Sequence, residues 1–371
     1  MRKKNIKIVV AMSGGVDSSV TTWLLNKKGY NVEGIFMKNW EEDDDHNNGY
    51  CASSKDLKDA QAVCDSIGIL LHKINFAEEY WNNVFEKFVN LLKIGITPNP
   101  DVLCNKEIKF KELLNFVLFN LKADYMATGH YVRRVERHKK FFLLRGIDDN
   151  KDQSYFLYHL NQFQLSKCLF PVGNLRKRQV RIIAKKYVQV VAKKKDSMGI
   201  CFIGPKNFTN FLSRFIKSNP GNIVDEKGQV VGIHRGLHNY TIGQRKGLKI
   251  GGISKGNGKA WYVFKKDIKK NELFVVQGNN NISLTYKGII VTNVVWINEN
   301  PLNKIFNCMV KTRYRQSVVY SKVQVISSDS VVVIFDTPVL AVCPGQSAVF
   351  YDKHICLGGG VIEKGFILHK Q

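Results

Sequence analysis

The segment Ser13 to Ser18 reads Ser-Gly-Gly-Val-Asp-Ser and follows a β-branched apolar run, Ile6 to Met12. A strand that passes through two glycines into a helix gathers backbone N–H groups and the positive helix end at one point, where a phosphate is stabilised. The glycines let the backbone approach an anion, and Ser13, Ser18 and Ser19 can add hydroxyl donors. This is not a Walker loop, because no Gly-Lys-Ser/Thr follows and the loop is too short. Asp17 stands in the loop instead, and a carboxylate beside phosphates makes chemical sense with Mg²⁺ between them. The segment predicts a nucleotide site and leaves the second substrate open.

Two cysteines have neighbours suited to thiol chemistry. Thr97 to Phe110 reads TPNPDVLCNKEIKF; Pro98 and Pro100 stop any preceding helix, and Asp101 is the expected N-cap of one that runs to about Leu118. Cys104 then falls in the first turn, with Lys106 and Lys109 close by, and both the helix end and the lysines favour a thiolate. Asp101 is close enough in sequence to move a proton as well as to cap. Cys201 sits in DSMGICFIG (196–204), a Gly-flanked loop after the basic run Lys193 to Lys195, which suits a thiol that must swing between donor and target. Paired thiols in a nucleotide-activating enzyme are the signature of sulfur transfer, in which one carries a persulfide and the other resolves it. The other six cysteines, at 51, 64, 168, 308, 343 and 356, form no CxxC pair and read as small buried hydrophobes in a reducing compartment.

These residues need a scaffold, and the order of elements names it. Val16 to Lys28 reads as a helix ended by Gly29, Tyr30 to Met37 as a strand, Lys55 to Ile67 as a helix, Leu70 to Asn75 as a strand, and Ala123 to Thr128 as another. A charged loop, Asn39 to Tyr50, interrupts them. Alternation of this kind argues for a parallel sheet with crossover helices. Beyond about Lys206 the chain changes to Gly-punctuated strand runs: Ala260 to Phe264, Leu273 to Gln277, Gly288 to Trp296, Cys308 to Tyr314, Val318 to Ile326, Val331 to Phe335 and Ala348 to Tyr351. These suit a small β-barrel or sandwich. In the run around 313, Arg313 and Arg315 should share one strand face and Tyr314 the other.

The chain has 371 residues, 44% hydrophobic and 23% charged, which suits two or three folded domains and excludes a disordered chain or a small disulfide scaffold. No apolar run is long enough for a membrane span, and Lys7 and Asp17 spoil a signal-peptide reading of the N-terminus. The expected location is the cytoplasm, with no membrane partner. Lys plus Arg total 56 against 31 Asp plus Glu, a net charge of +25 that points to a polyanionic partner or to compositional drift.

The loop SGGVDS resembles that of the PP-loop ATP pyrophosphatases, which split ATP between the α and β phosphates and adenylate a substrate. A longer series then occurs in order: SGGVDS, NPDVLCN with IKF, ATGHY (127–131), KDQSYFL (151–157), DSMGICFIG, HNYTIGQRKGL (238–248), RYRQ (313–316) and PGQSAVFY (344–351). The whole resembles the bacterial tRNA-specific 2-thiouridylase family over nearly the full chain. That resemblance implies an α/β PP-loop domain over 1–206, a small central tRNA-binding domain over 207–283 and a C-terminal β-barrel over 284–371. It implies ATP, with Mg²⁺, bound by Ala11, Met12, Ser13, Gly14, Gly15, Val16, Asp17 and Ser18, with Met37 and Gly129 near the adenosine. Asn99, Pro100 and Asp101 would contact the target base, the wobble uridine (U34). Cys201 would carry the persulfide and Cys104 would act as nucleophile and disulfide partner. His130, Lys151, Asp152, Gln153, Arg313, Tyr314 and Gln346 would contact tRNA, and no protein-bound metal is implied. The implied partners are the tRNAs for Lys, Glu and Gln and a sulfur donor such as a cysteine desulfurase or a relay protein, with a monomer as the default. Met198 stands where the family's loop has Thr, and only local repacking is expected there. The residues alone leave open another PP-loop adenylating enzyme, such as a small-molecule ligase or a 4-thiouridine synthase, and a tRNA-binding module without turnover.

Overall fold

The computed structural model describes residues 3–40, 52–196, 208–251, 258–299, 301 and 303–367. Its first layer is a parallel sheet. Strand β1 (Lys7–Met12) lies at the centre, with β2 (Asn31–Lys38) and β3 (Leu71–Asn75) on one side and β4 (Tyr125–Ala127) on the other. The two-residue strand Cys168–Leu169 extends the sheet beyond β4. Ile8, Val9 and Val10 are fully buried, as a strand covered on both faces requires. Helices α1 (Val16–Lys27), α2 (Ala52–Ile67) and the Lys177–Tyr187 helix cover one face. The helical runs 77–93 and 100–120 cover the other through Phe85, Phe88, Ile108 and Leu113. The alternation read from the sequence is thus present, with helix and strand ends displaced by only a few residues.

The chain from β1 to β3 fills one side of the sheet and then crosses to β4 on the opposite side of β1. In an open parallel sheet that reversal leaves a crevice at the carboxyl ends of the strands, where such folds take their ligands. The loop after β1 and the segment after β4 both open into it.

The rest of the chain is β. A four-stranded sheet joins Gly221–Val224, Val230–His234, Trp261–Asp267 and Glu272–Gln277. After it, the strands Thr285–Trp296, Ile305–Lys311, Val319–Ser327, Ser330–Leu340, Ser347–Asp352 and Ile355–Phe366 close into a barrel, because Thr285–Trp296 pairs both with Ser330–Leu340 and with Ile355–Phe366. Closure brings backbones together at Gly358, where φ is +148° and an added Cβ would lie 2.1 Å from the Val295 carbonyl oxygen. The sequence foresees a barrel or sandwich here, and the barrel is what forms. It does not foresee that the hairpin Val132–Arg137 and Lys140–Arg145, from the nucleotide-loop half, hydrogen-bonds onto the last barrel strand. Among the described residues no helix is long and apolar enough to cross a membrane.

Candidate active site

Gly14 has φ +66°, and a Cβ there would lie 2.2 Å from the Asp56 carbonyl oxygen, so only glycine fits this turn. Gly15 begins α1 without any side-chain cap, which leaves the first-turn amides of the helix facing the crevice. Gly129 packs against the same turn, where a Cβ would lie 2.8 Å from the Ser18 amide nitrogen. Ala11, Met12 and Met37 occupy the carboxyl ends of neighbouring strands. The structure therefore gathers all the residues expected around the nucleotide. Of the expected hydroxyl donors, Ser18 and Ser19 are buried and give their hydroxyls to the Gly15 carbonyl at 3.2 and 2.7 Å. They shape the loop, and only Ser13 remains exposed.

Asp17 is not solitary. Its carboxylate accepts from Tyr131 at 2.7 Å and from Lys177 at 2.7 and 2.8 Å. Lys177 also pairs with Asp196 at 2.9 Å, and Asp196 receives Lys151 at 2.6 Å and Arg181 as well. Burial alone would raise the Asp196 carboxyl, but hydrogen bonds from Lys151 and Lys177 and their charges outweigh it and hold it far below the usual carboxylate range. Lys194 donates to the Gly14 carbonyl at 3.0 Å and to Asp56 at 2.6 Å, and so ties the loop to α2. Sequence reading misses Lys177, Tyr131, Arg181 and Lys194. Lys177 and Arg181 come from a helix of ordinary basic composition, while Tyr131, within ATGHY, and Lys194, within the basic run 193–195, show their partners only in the fold, since both act across more than 100 residues. Asp196 is the last described residue before the loop of Cys201. Cys201 and Met198 lie outside the described residues.

A second cluster forms where the 100–120 helix begins. Its N-cap is Asn99, whose Oδ1 accepts from Val102 N at 3.2 Å, and not Asp101. The reason is Pro100, which lacks an N–H and has φ preset for the first helical position, so the cap falls one residue before it. Asp101 then lies in the first turn, close enough to Tyr314 to raise its phenol, after burial and Asp152. Arg313–Gln316 is a turn and not a strand: the Gln316 side-chain oxygen accepts from Thr312 Oγ1 at 2.5 Å, and Gln316 N donates back to the Arg313 carbonyl. The two arginines therefore share no strand face. Tyr314 packs on Phe156 with ring centroids 4.4 Å apart, and Arg313 reaches the Ile242 carbonyl, in the segment between the central-sheet strands Val230–His234 and Trp261–Asp267.

Cys104 stands near the start of the helical run, as expected, and is 1% exposed. Lys106 turns instead to Glu107, 3.6 Å away. The structural reading of the other cysteines stands among those described: burial pushes the thiols of Cys64 and Cys308 up to about 12.

The residues expected to touch RNA divide. Gln153 and Tyr131 exchange contacts, with Tyr131 N donating to Gln153 Oε1 at 2.9 Å. Gln346 donates to the carbonyls of Thr97 and Pro98 at 2.8 and 3.2 Å. His130 bonds Thr128 Oγ1 at 2.8 Å; burial, then Lys109, pushes its pKa down to about 3, so it is neutral. The side chain of Asp152 is fully buried, accepts from Arg145, Gly146 N and Ser154 N, and lies 3.6 Å from Lys311 of the barrel. A carboxylate so engaged fastens two parts of the molecule.

Three family models match in order: a tRNA methyl transferase HUP domain over residues 6–205, a tRNA methyl transferase PRC-barrel domain over 209–277 and an aminomethyltransferase beta-barrel domain over 286–362. Among curated relatives, the tRNA-specific 2-thiouridylase MnmA of Buchnera aphidicola subsp. Acyrthosiphon pisum is 56% identical over 97% of this chain and 98% of its own. That of Actinobacillus succinogenes is 56% identical over 96% and 92%, and that of Salmonella arizonae 55% identical over 96% and 97%. The family descriptions speak of methyl transfer and the relatives' names of thiolation; identity above one half over more than nine-tenths of both chains decides for the latter. With a PP-loop domain, a central barrel and a C-terminal β-barrel in the same order, the chain belongs to the tRNA-specific 2-thiouridylase MnmA family.

Proposed function

We propose that this protein is a tRNA-uridine 2-sulfurtransferase that uses ATP to thiolate the wobble uridine (U34), giving 2-thiouridine in the tRNAs for Lys, Glu and Gln. The observation that supports this reading best is the Asp17–Lys177–Asp196 chain. It fastens the base of the Cys201 loop to the nucleotide loop, so activation and sulfur delivery share one frame.

In the first step the C2 oxygen of the uridine attacks the α-phosphorus of ATP, and pyrophosphate leaves. The uncapped first turn of α1, with Gly14 and Gly129 alongside, would receive the phosphates, and Lys177 lies ready beside them. Asp17 is a single carboxylate, and Mg²⁺ is ordinarily held by one or two carboxylates together with substrate phosphates. Asp17 thus fits such an ion only in company with the nucleotide, where the ion would offset phosphate charge. Among the described residues no cluster of three or more His, Cys, Asp or Glu could hold a metal by itself.

In the second step the terminal sulfur of a Cys201 persulfide attacks C2, and AMP leaves with the former oxygen. Cys104 then attacks the Cys201 sulfur; the thiocarbonyl is released and a Cys104–Cys201 disulfide remains. If Cys104 attacks first, hydrosulfide is freed and performs the displacement, with the same disulfide left behind. A thiol reductant must restore both cysteines before the next turnover. Asn99, Pro100 and Asp101 would hold the base, with Asp101 placed to move a proton. A cysteine desulfurase, directly or through a relay protein, supplies the sulfane sulfur; the protein acts in the cytoplasm as a monomer.

Nucleoside mass spectrometry tests the reading. tRNA incubated with the protein, Mg²⁺-ATP, a cysteine desulfurase and cysteine should gain sulfur for oxygen on U34 alone. Cys201→Ser should bind tRNA and ATP normally yet yield no thiolated nucleoside. Gain at another uridine, or full thiolation by C201S, would overturn the corresponding part.

A further inference from the structure

Between the helical runs 77–93 and 100–120 the chain passes through Gly95–Pro98, and both β domains grip it. From the closed barrel, Gln346 donates to the Thr97 and Pro98 carbonyls, and Thr97 N donates to the Pro344 carbonyl at 3.3 Å. From the central sheet, Lys266 sends its Nζ to the Gly95 carbonyl at 3.1 Å and to Thr97 Oγ1 at 3.4 Å. Ile268 presses so closely that a Cβ on Gly95, whose φ is +78°, would lie 2.2 Å from its Cδ1. Directly after this strap stands Asn99, the cap of the helical run that carries Asp101 and Cys104.

The chemistry of Lys266 is unusual for a surface contact. Its hydrogen-bond partners are a carbonyl and a hydroxyl, and among the described residues no carboxylate acts on it. Burial pushes its ammonium down to about 8, opposed only by Cys343. A buried ammonium without a counter-ion is costly to a fold, so a lysine that only covered apolar surface would be better replaced by an apolar side chain. What Lys266 provides is donors aimed at one backbone turn.

We infer that Lys266 is a positioning residue for thiolation: it holds the Gly95–Thr97 turn from the central domain while Gln346 holds it from the barrel, and together they set Asn99–Cys104 against the base. The domains that meet the tRNA body thereby fix the element that meets its uridine. This rests on the proposed role of the Asn99–Cys104 helix. Misplacing a reacting group by about 1 Å costs about 100-fold in rate, so loss of one of two grips should cost about 10-fold.

The test uses the full-length protein with Lys266→Met, which keeps the stem and removes the donors, and Lys266→Arg, which restores them. The readouts are tRNA Kd, thermal midpoint, and the single-turnover thiolation rate at saturating tRNA. K266M should keep Kd within about 2-fold and lose no thermal stability, while its rate falls about 10-fold; K266R should recover most of that loss. An unchanged K266M rate overturns the inference, and so does a weaker Kd with a normal rate at saturation, which would make Lys266 a binding contact. Equal loss in K266M and K266R with a lowered midpoint would make it merely structural. Cys104→Ser run alongside separates the two failures: full thiolation by C104S overturns the role of the helix and this inference with it. An inactive C104S beside a fully active K266M overturns the inference alone.

Discussion

At Asp17 a carboxylate meets a phenol and an ammonium, and the ammonium is shared with Asp196. Burial, then Asp17, raises the Tyr131 hydroxyl far above its ordinary range, so it remains a donor at any working pH. Lys177, the cation paired with Asp17, is expected to exchange that carboxylate for an incoming phosphate. Lys177→Met should leave Asp196 served by Lys151 and Arg181 and should lower stability by only about 1 kcal/mol, as for partly exposed pairs. Pyrophosphate release in the presence of tRNA should fall at least 10-fold, on the order of one phosphate-directed charge at a reacting centre. A variant with normal pyrophosphate release would return Lys177 to the role of a loop brace. The sequence offers no hint of this residue, because Lys177 opens a helix of ordinary basic composition 160 residues from its partner.

Among the elements, the β1–loop–α1 corner is legible in the sequence for a physical reason: every feature that specifies it is local. An apolar β-branched run, a positive-φ glycine and a helix start are consecutive, and the strand order then places Met37 and Gly129 beside them. The turn at Arg313–Gln316 is illegible for the opposite reason. Its alternating residues fit a strand, and only the reach of Gln316 back to Thr312 decides for a turn. Likewise the hairpin 132–145 reads as part of the first domain, and its place on the barrel edge depends on a pairing more than 200 residues away. The Asn99 cap was within reach of the sequence, since Pro100 one residue later gives it away. Gly14 supplies the element-scale prediction. Gly14→Ala must both hold a positive φ and clear the Asp56 backbone, so α2 has to move away from the loop. ATP affinity should drop by about 10-fold or more, with a lower thermal midpoint, while tRNA affinity should stay within about 2-fold. Equilibrium binding of both ligands to the same preparation checks it, and parallel losses in both would show that the corner also supports the RNA surface.

At the scale of the whole molecule, the open question is whether the +25 net charge has a use. Buried pairs such as Arg145 with Asp152, and the network around Asp196, consume little of it, because they hold acids and bases in similar number. The excess is on the surface, including the groove lined by Arg313 and Arg315 beside Val319 and Leu340. Compositional drift would scatter such charges without regard to an RNA, whereas a binding face would neutralise several phosphates at once. Counterion release tells the two apart, since log Kd rises with log salt by about 0.7 to 0.9 for each phosphate neutralised. A tRNA held across the crevice and both β domains should engage about five phosphates or more, giving a slope near 4. The measurement is a salt titration of tRNA affinity, repeated with Arg313→Gln and with Arg315→Gln. Each substitution that removes a phosphate contact should lower the slope by about 1. The Arg313 guanidinium already serves the Ile242 carbonyl, so Arg315 is expected to show the larger change. A slope below about 1 in the parent protein would mean that the basic surface contributes little to RNA binding, and recognition would then have to rest on shape and base contacts.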